Sequence, residues 1–161
     1  MEYAGVTRAW AIPEYQGIGT IGLIFVFDDN DPIFPNETTR DLVRDYIIEH
    51  SDPVLGKDVG IPVTAEPGFF TPGATALTVD FDIQLSPNNS TVQAAVDANL
   101  ADLILTRGGP GQTITISQMY EAITTATGEV KSIINSPSAD VTANTTQVHV
   151  LGDITYGEYV G

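Results

Sequence analysis

Cysteine is absent from the 161 residues. That removes disulfide frameworks, thiolate metal sites and cysteine nucleophiles together, and leaves the redox compartment unmarked. Basic residues are nearly as scarce, with six Lys and Arg against 21 Asp and Glu for a formal charge of -15. Neutralising phosphates takes clustered Lys and Arg, so nucleic acid is not expected as a partner. Long apolar runs are missing too. The longest, 18–27, is broken by Gly19, Thr20 and Gly22 and falls far short of the roughly 20 residues that span a bilayer, so no membrane segment is expected. Met1 is followed by Glu2 rather than by a basic segment and an apolar stretch, and no secretory signal is expected either.

Apolar residues make up 42% of the chain, and Ile, Val and Leu recur in spaced runs, as in a folded protein with a core. Residues 6–12 alternate as a strand that Pro13 ends. After a glycine-bearing turn, 20–27 forms a second β-branched and aromatic strand, giving a hairpin. Asn36 or Thr38 can cap a helix whose Leu42, Val43, Tyr46 and Ile47 share one face against that hairpin. Prolines and glycines loosen 51–73, leaving 59–64 as a short or edge strand. Residues 74–85 alternate strictly over Leu77, Val79, Phe81, Ile83 and Leu85, the signature of a strand with one wet face.

A capping box over 90–93 then introduces a helix with Val92, Val96, Leu100, Leu103 and Ile104 inward. A short strand at 113–116 and a helix capped by Ser117 follow, with Met119, Tyr120 and Ile123 inside. Strands at 129–134 and 146–156, the second kinked at Gly152, flank a polar loop at 136–144. The expected class is α+β: two small two-layer α/β modules in series with mostly antiparallel sheets. Their order is ββαβ(β) over 1–86 and αβαββ over 87–161.

Candidate sites are few. Asp28, Asp29 and Asp31 cluster before Pro32, but the spacing lacks the alternation, glycine and terminal glutamate of a calcium loop, so a solvated turn is the simpler reading. The GGPG stretch at 108–111 follows a helix and precedes a strand, the reverse of a phosphate-binding loop, and reads as a helix stop. His50 and His149 stand alone, and no serine sits in a G-x-S-x-G elbow. No catalytic residue, metal, cofactor or small-molecule substrate is therefore expected. A hydrolase would need His50 or His149 beside a carboxylate and a hydroxyl. A carbohydrate-binding or adhesin module would need Tyr3, Tyr15, Tyr156 and Tyr159 as an exposed platform.

GVTRAW at 5–10 and GIGTIGLIFVFDD at 17–29 resemble the baseplate J-like family of contractile-tailed phages and prophages. FDIQLSP at 81–87, the helix 91–105, GGPGQT at 108–113, ISQMYEAI at 116–123 and SPSAD at 136–140 are similar, in order, to that family's C-terminal half. The resemblance implies a structural wedge subunit of the tail baseplate, assembled in the bacterial host cytoplasm and contacting other wedge and hub proteins. Family members carry a long portion ahead of the GVTRAW stretch, so the chain is expected to be a fragment, a split gene product or a prophage remnant.

Partner contacts are expected from Asp28, Asp29, Asp31, Phe34, Phe69, Phe70 and Trp10, and from the loops 28–35, 56–73 and 136–144, since long irregular segments are often functional. Deleting the loop 56–73 is expected to abolish wedge assembly while leaving the fold intact. Weak self-association is expected through an uncovered apolar surface near Trp10 or Phe25 and Phe27.

Overall fold

A computed structural model describes residues 5–49, 51–52, 57–58, 60–61 and 64–160. The chain divides into two compact units, Met1–Thr75 and Ala76–Gly161.

In the first unit, β1 (Arg8–Pro13) and β2 (Ile21–Val26) pair antiparallel from Arg8 opposite Val26 to Pro13 opposite Ile21. The expected hairpin is present, and Gly17 and Gly19 in its turn both adopt positive φ, which glycine reaches without a Cβ penalty. The helix α1 (Glu37–Ile48) starts at Asn36, whose side chain accepts from the Thr39 amide. Phe25, Phe27 and Val43 are buried together, with Val6, Leu23 and Ile47 packed around them, and the two phenylalanine rings meet edge to face at 5.8 Å. The expected apolar face of α1 is narrower than the sequence suggested: Leu42 is 55% exposed, because contact with the hairpin runs along Val43 and Ile47, one turn apart.

Among the described residues, three short strands and a 3-10 turn lie within the loosely patterned 51–73. Strands β3 (Ser51–Asp52) and β4 (Lys57–Asp58) pair antiparallel, and after a single 3-10 turn at Glu66–Gly68, β5 (Phe69–Phe70) joins β2 in parallel, giving the order β1-β2-β5. The strand expected over 59–64 rests largely on residues outside those described. Arg40 donates to the carbonyls of Pro35 and Thr71, and Arg44 to that of Phe69, tying α1 to the chain that follows it. Residues 69–71 are therefore part of the fold, which stands against removing all of 56–73 with the fold intact.

The second unit is built on β6 (Thr75–Ser86), the middle strand of the order β10-β6-β8. Strand β8 (Lys131–Ser136) runs antiparallel to it, with a bulge between Asp82 and Ile83. Strand β10 (Gln147–Glu158) lies on the other side. Its bonds climb both strands in one direction, Asp153 N to Asp80 Oδ1 and Tyr159 N to Leu85 O, so β10 is parallel to β6. Val79, Phe81, Ile83 and Leu85 point to one face and are buried with Val92, Val96, Leu100 and Ile104 of α2 (Ser90–Arg107) and with Met119 and Ile123 of α3 (Ile116–Thr124). Because this packing engages the apolar face of β6, the strand belongs with the second unit. The division falls at Thr75, eleven residues before the boundary expected at 86.

Local details differ from the sequence reading for identifiable reasons. The cap of α2 is Asn89, whose carboxamide oxygen accepts from Thr91 and Val92 amides; the expected box at Ser90 does not form, since Ser90 is already helical. The cap of α3 is Thr115 in a capping box with Gln118, not Ser117. That shortens the preceding strand to β7 (Thr113–Ile114), and β7 pairs with β9 (Val141–Thr142) inside the expected loop 136–144. Strand β10 continues through Gly152. The reason for glycine there is space, as a Cβ would lie 1.9 Å from Asp80 Oδ1, the atom that accepts from the Asp153 amide.

Replacing Asn89 by Ala is expected to lower unfolding free energy by about 1 kcal/mol, the usual worth of an N-cap, with Ser90→Ala close to neutral. Urea titration of both variants checks this, and the reverse order would restore the cap to Ser90.

Candidate protein-interaction site

The residues singled out in the sequence separate into three environments. Asp28 is committed to the fold. Arg8 donates to it through Nε at 2.8 Å and Nη2 at 2.6 Å, Thr7 Oγ1 lies 2.6 Å from its carboxylate, and its own amide donates to Thr7 Oγ1. The Arg8 guanidinium also sits 5.2 Å over the half-buried Trp10 ring. One ion pair thus joins the start of β1 to the end of β2 and covers the indole. Partial burial pushes the Asp28 carboxyl up, but hydrogen bonds from Arg8 and Thr7 and the Arg8 charge outweigh it and hold the group below its ordinary value.

Asp29 and Asp31, in contrast, are exposed. They rim an open cleft of about 520 Å³ whose walls include Phe27, Pro32, Phe34 and Pro35, with Asn36 and Thr39 at the start of α1. Phe34 is half-buried there. Phe69 and Phe70 lie elsewhere and are interior pieces. Phe69 is 7% exposed, and the half-buried Phe70 has its ring 6.0 Å from that of Tyr15, so the expectation of Phe69 as a contact residue is corrected. Phe25 and Phe27 themselves are buried, with Val6, Leu23, Val43 and Ile47 packed around them, so neither ring is among the exposed apolar residues.

Other candidate loops prove structural. In 136–144, Asp140 accepts from the Ile116 amide at the start of α3, and Ala143 N donates to Gln112 O. His149 is fully buried, with Nε2 3.0 Å from Val141 O and Nδ1 lacking a partner. Its amide donates to Gly108 O, and a Cβ on Gly108 would approach both Ile104 O and the His149 side chain. The GGPG stretch therefore closes α2 against β10. His50 and Tyr3 lie outside the described residues. Tyr15 stacks against Gly22, Tyr159 carries the Lys131 ammonium 5.5 Å over its ring, and Tyr156 OH donates to Asp97 at 2.5 Å. Burial first, and then Asp97, drive the Tyr156 hydroxyl well above its usual range. With the rings of Tyr15 and Tyr159 and the hydroxyl of Tyr156 engaged, these tyrosines do not read as a sugar platform. Among the described residues, no group of three His, Asp or Glu could hold a metal ion, and no helix is long and apolar enough to cross a membrane.

What the sequence reading passed over is the outer face of α1. Glu37, Asp41, Asp45 and Glu49 are all exposed and recur every four residues, a spacing that puts them in one row. Its four-residue spacing is legible in the sequence, on the face of α1 opposite Val43 and Ile47.

Family models match almost the whole chain: the baseplate J-like central domain over residues 1–67 and the baseplate J-like protein C-terminal domain over 79–157. The Mu-like prophage FluMu protein gp47 of Haemophilus influenzae is 37% identical over 153 residues, covering 95% of this chain and 42% of that protein. The baseplate protein gp47 of Escherichia phage Mu is 31% identical with the same coverage. The putative protein JayE of Escherichia coli K12 is 31% identical over 96% of this chain and 55% of its own length. The chain thus spans about half, or less, of these relatives.

The Asp28 clamp makes a pH-dependent prediction. A carboxyl lowered by folding stabilises above its unfolded value, about 3.9, and that contribution is lost as pH falls through the folded one. Asp28→Asn is expected to cost about 1 kcal/mol at neutral pH, with the gap to the wild type closing as acid is added below pH about 4. Chemical denaturation across pH measures it; a gap independent of pH would show that charge is not what the clamp uses.

Proposed function

The chain belongs to the baseplate J-like family, and on that footing we propose that it is a wedge subunit of a phage or prophage tail baseplate, working through protein–protein contacts during assembly and tail contraction. The observation that carries the reading is the ordered match to both the central and the C-terminal family domains. Relatives at 31–37% identity include a protein named for the baseplate of phage Mu.

The architecture suits such a role. Each unit has its own core, with Phe25, Phe27 and Val43 in the first and the β6, α2 and α3 side chains in the second. Two bodies with separate cores can grip different neighbours, and subunit interfaces of modest area can rearrange without unfolding either. The chemistry is mechanical rather than catalytic: its polar side chains cap helices, clamp strands and present charge. In this reading the chain resides in the tail baseplate after assembly in the host cytoplasm, against other wedge and hub proteins.

In a phage or inducible prophage that encodes this protein, in-frame deletion of its gene is expected to leave particles without completed baseplates, and supply in trans to restore them. Electron microscopy of the lysate reads the outcome. Normal contractile tails and full infectivity in the deletion strain would end the proposal.

A further inference from the structure

The cleft beside α1 combines an apolar wall with an acidic rim. Phe34, Pro32 and Pro35 supply the wall, and Asp29 and Asp31 stand exposed around it. A purely apolar ligand would leave those carboxylates without a counter-charge, and a small inorganic cation would make no use of the rings and prolines. A side chain with an aliphatic stem and a cationic head uses both, since Lys and Arg lay their methylenes on apolar surface while the charge stays at the rim.

The surface continues along the helix. Asn36 and Thr39, which line the cleft, open α1, and from there Glu37, Asp41, Asp45 and Glu49 step along it about 6 Å apart, all exposed. Leu42 lies beside them at 55% exposure. The arginines of this unit are directed elsewhere. Arg8 is held by Asp28, Arg40 by the carbonyls of Pro35 and Thr71, and Arg44 by that of Phe69, reaching Asp45 only at 3.8 Å. The row works against its own helix. Like charges four residues apart repel, and Asp45 and Glu49 lie towards the negative end of the dipole with no basic residue in the last turn.

We propose that the cleft and the outer face of α1 together form a docking surface for an Arg- and Lys-rich segment of a neighbouring protein. One basic side chain lies across Phe34 and the prolines with its charge between Asp29 and Asp31, and further basic residues pair with the row on α1. That the neighbour is a baseplate component rests on the proposed function; the chemistry of the surface does not.

The test uses the full chain and a fluorescent oligoarginine peptide at two salt concentrations. Asp41→Lys with Asp45→Lys reverses the middle of the row and creates favourable pairs with Glu37 and Glu49, so this variant is expected to melt no lower than the wild type. Asp102→Lys with Glu121→Lys makes the same change of charge in the second unit. The α1 pair is expected to weaken peptide binding about tenfold or more and the control about twofold or less, because complementary contacts act locally while net charge acts diffusely. Phe34→Ala is expected to weaken the binding that survives at the higher salt.

Equal weakening by both lysine pairs, no binding by the wild type at low salt, or displacement of the peptide by calcium but not by sodium at equal ionic strength would each overturn the docking surface. If the peptide is ignored while the deletion strain still lacks baseplates, the surface falls and the structural role stands. Peptide binding in a chain dispensable for the baseplate means the reverse.

Discussion

One strand organises the better part of this protein. Val79, Phe81, Ile83 and Leu85 of β6 are almost completely removed from water, and each such burial is worth roughly 1.5–3 kcal/mol. A strand alternates with period two and a helix repeats every 3.6 residues, so the row on β6 is matched by Val92, Val96, Leu100 and Ile104 at four-residue spacing on α2. Strands β8 and β10 then satisfy the two edges of β6, and the loop carrying β9 is held by Asp140 and His149. Changing the parity of β6 by one residue would turn Asp80 and Asp82 inward, which is why its register is strongly specified.

The first unit reaches stability by a different route. Besides its buried Ile24, Phe25, Val26, Phe27, Val43 and Phe69, arginine does much of the joining: Arg8 to Asp28, Arg40 to two carbonyls, Arg44 to a third. Guanidinium forks suit this work because their several donors reach more than one acceptor at once. The consequence lies on the outside. With Arg8 and Arg40 turned to the fold, Asp29, Asp31, Glu37, Asp41, Asp45 and Glu49 stand exposed, and much of this unit's acidity becomes a surface property.

Family membership and geometry bear on different questions. The domain matches say which family the chain belongs to; the geometry says which of the described residues stand exposed. Phe69 and Asp28 looked like contact residues because aromatics and acids in loops often are, yet one is in a short strand beside β2 and the other is clasped by Arg8 and Thr7. Asp29, Asp31 and Phe34 remain at the cleft.

Periodicity and turn chemistry lie within a few residues of one another, so the sequence alone determined the α+β class, the hairpin, the three helices, the strand β6 and the absence of thiol chemistry. It also contained the row of acids on α1. Asn36 caps α1 as expected, whereas the caps of α2 and α3 lie one and two residues before the expected ones, because serine, threonine and asparagine are interchangeable until the backbone decides which one precedes the first helical turn. Tertiary structure alone decided that β6 joins the second unit, that Thr113 and Ile114 of β7 pair with Thr142 and Val141 of β9, that Gly152 makes room for Asp80, and that Arg40 and Arg44 reach backbone carbonyls. Each of those depends on which side chains meet across long separations in the chain, and no local pattern of residues encodes such a meeting.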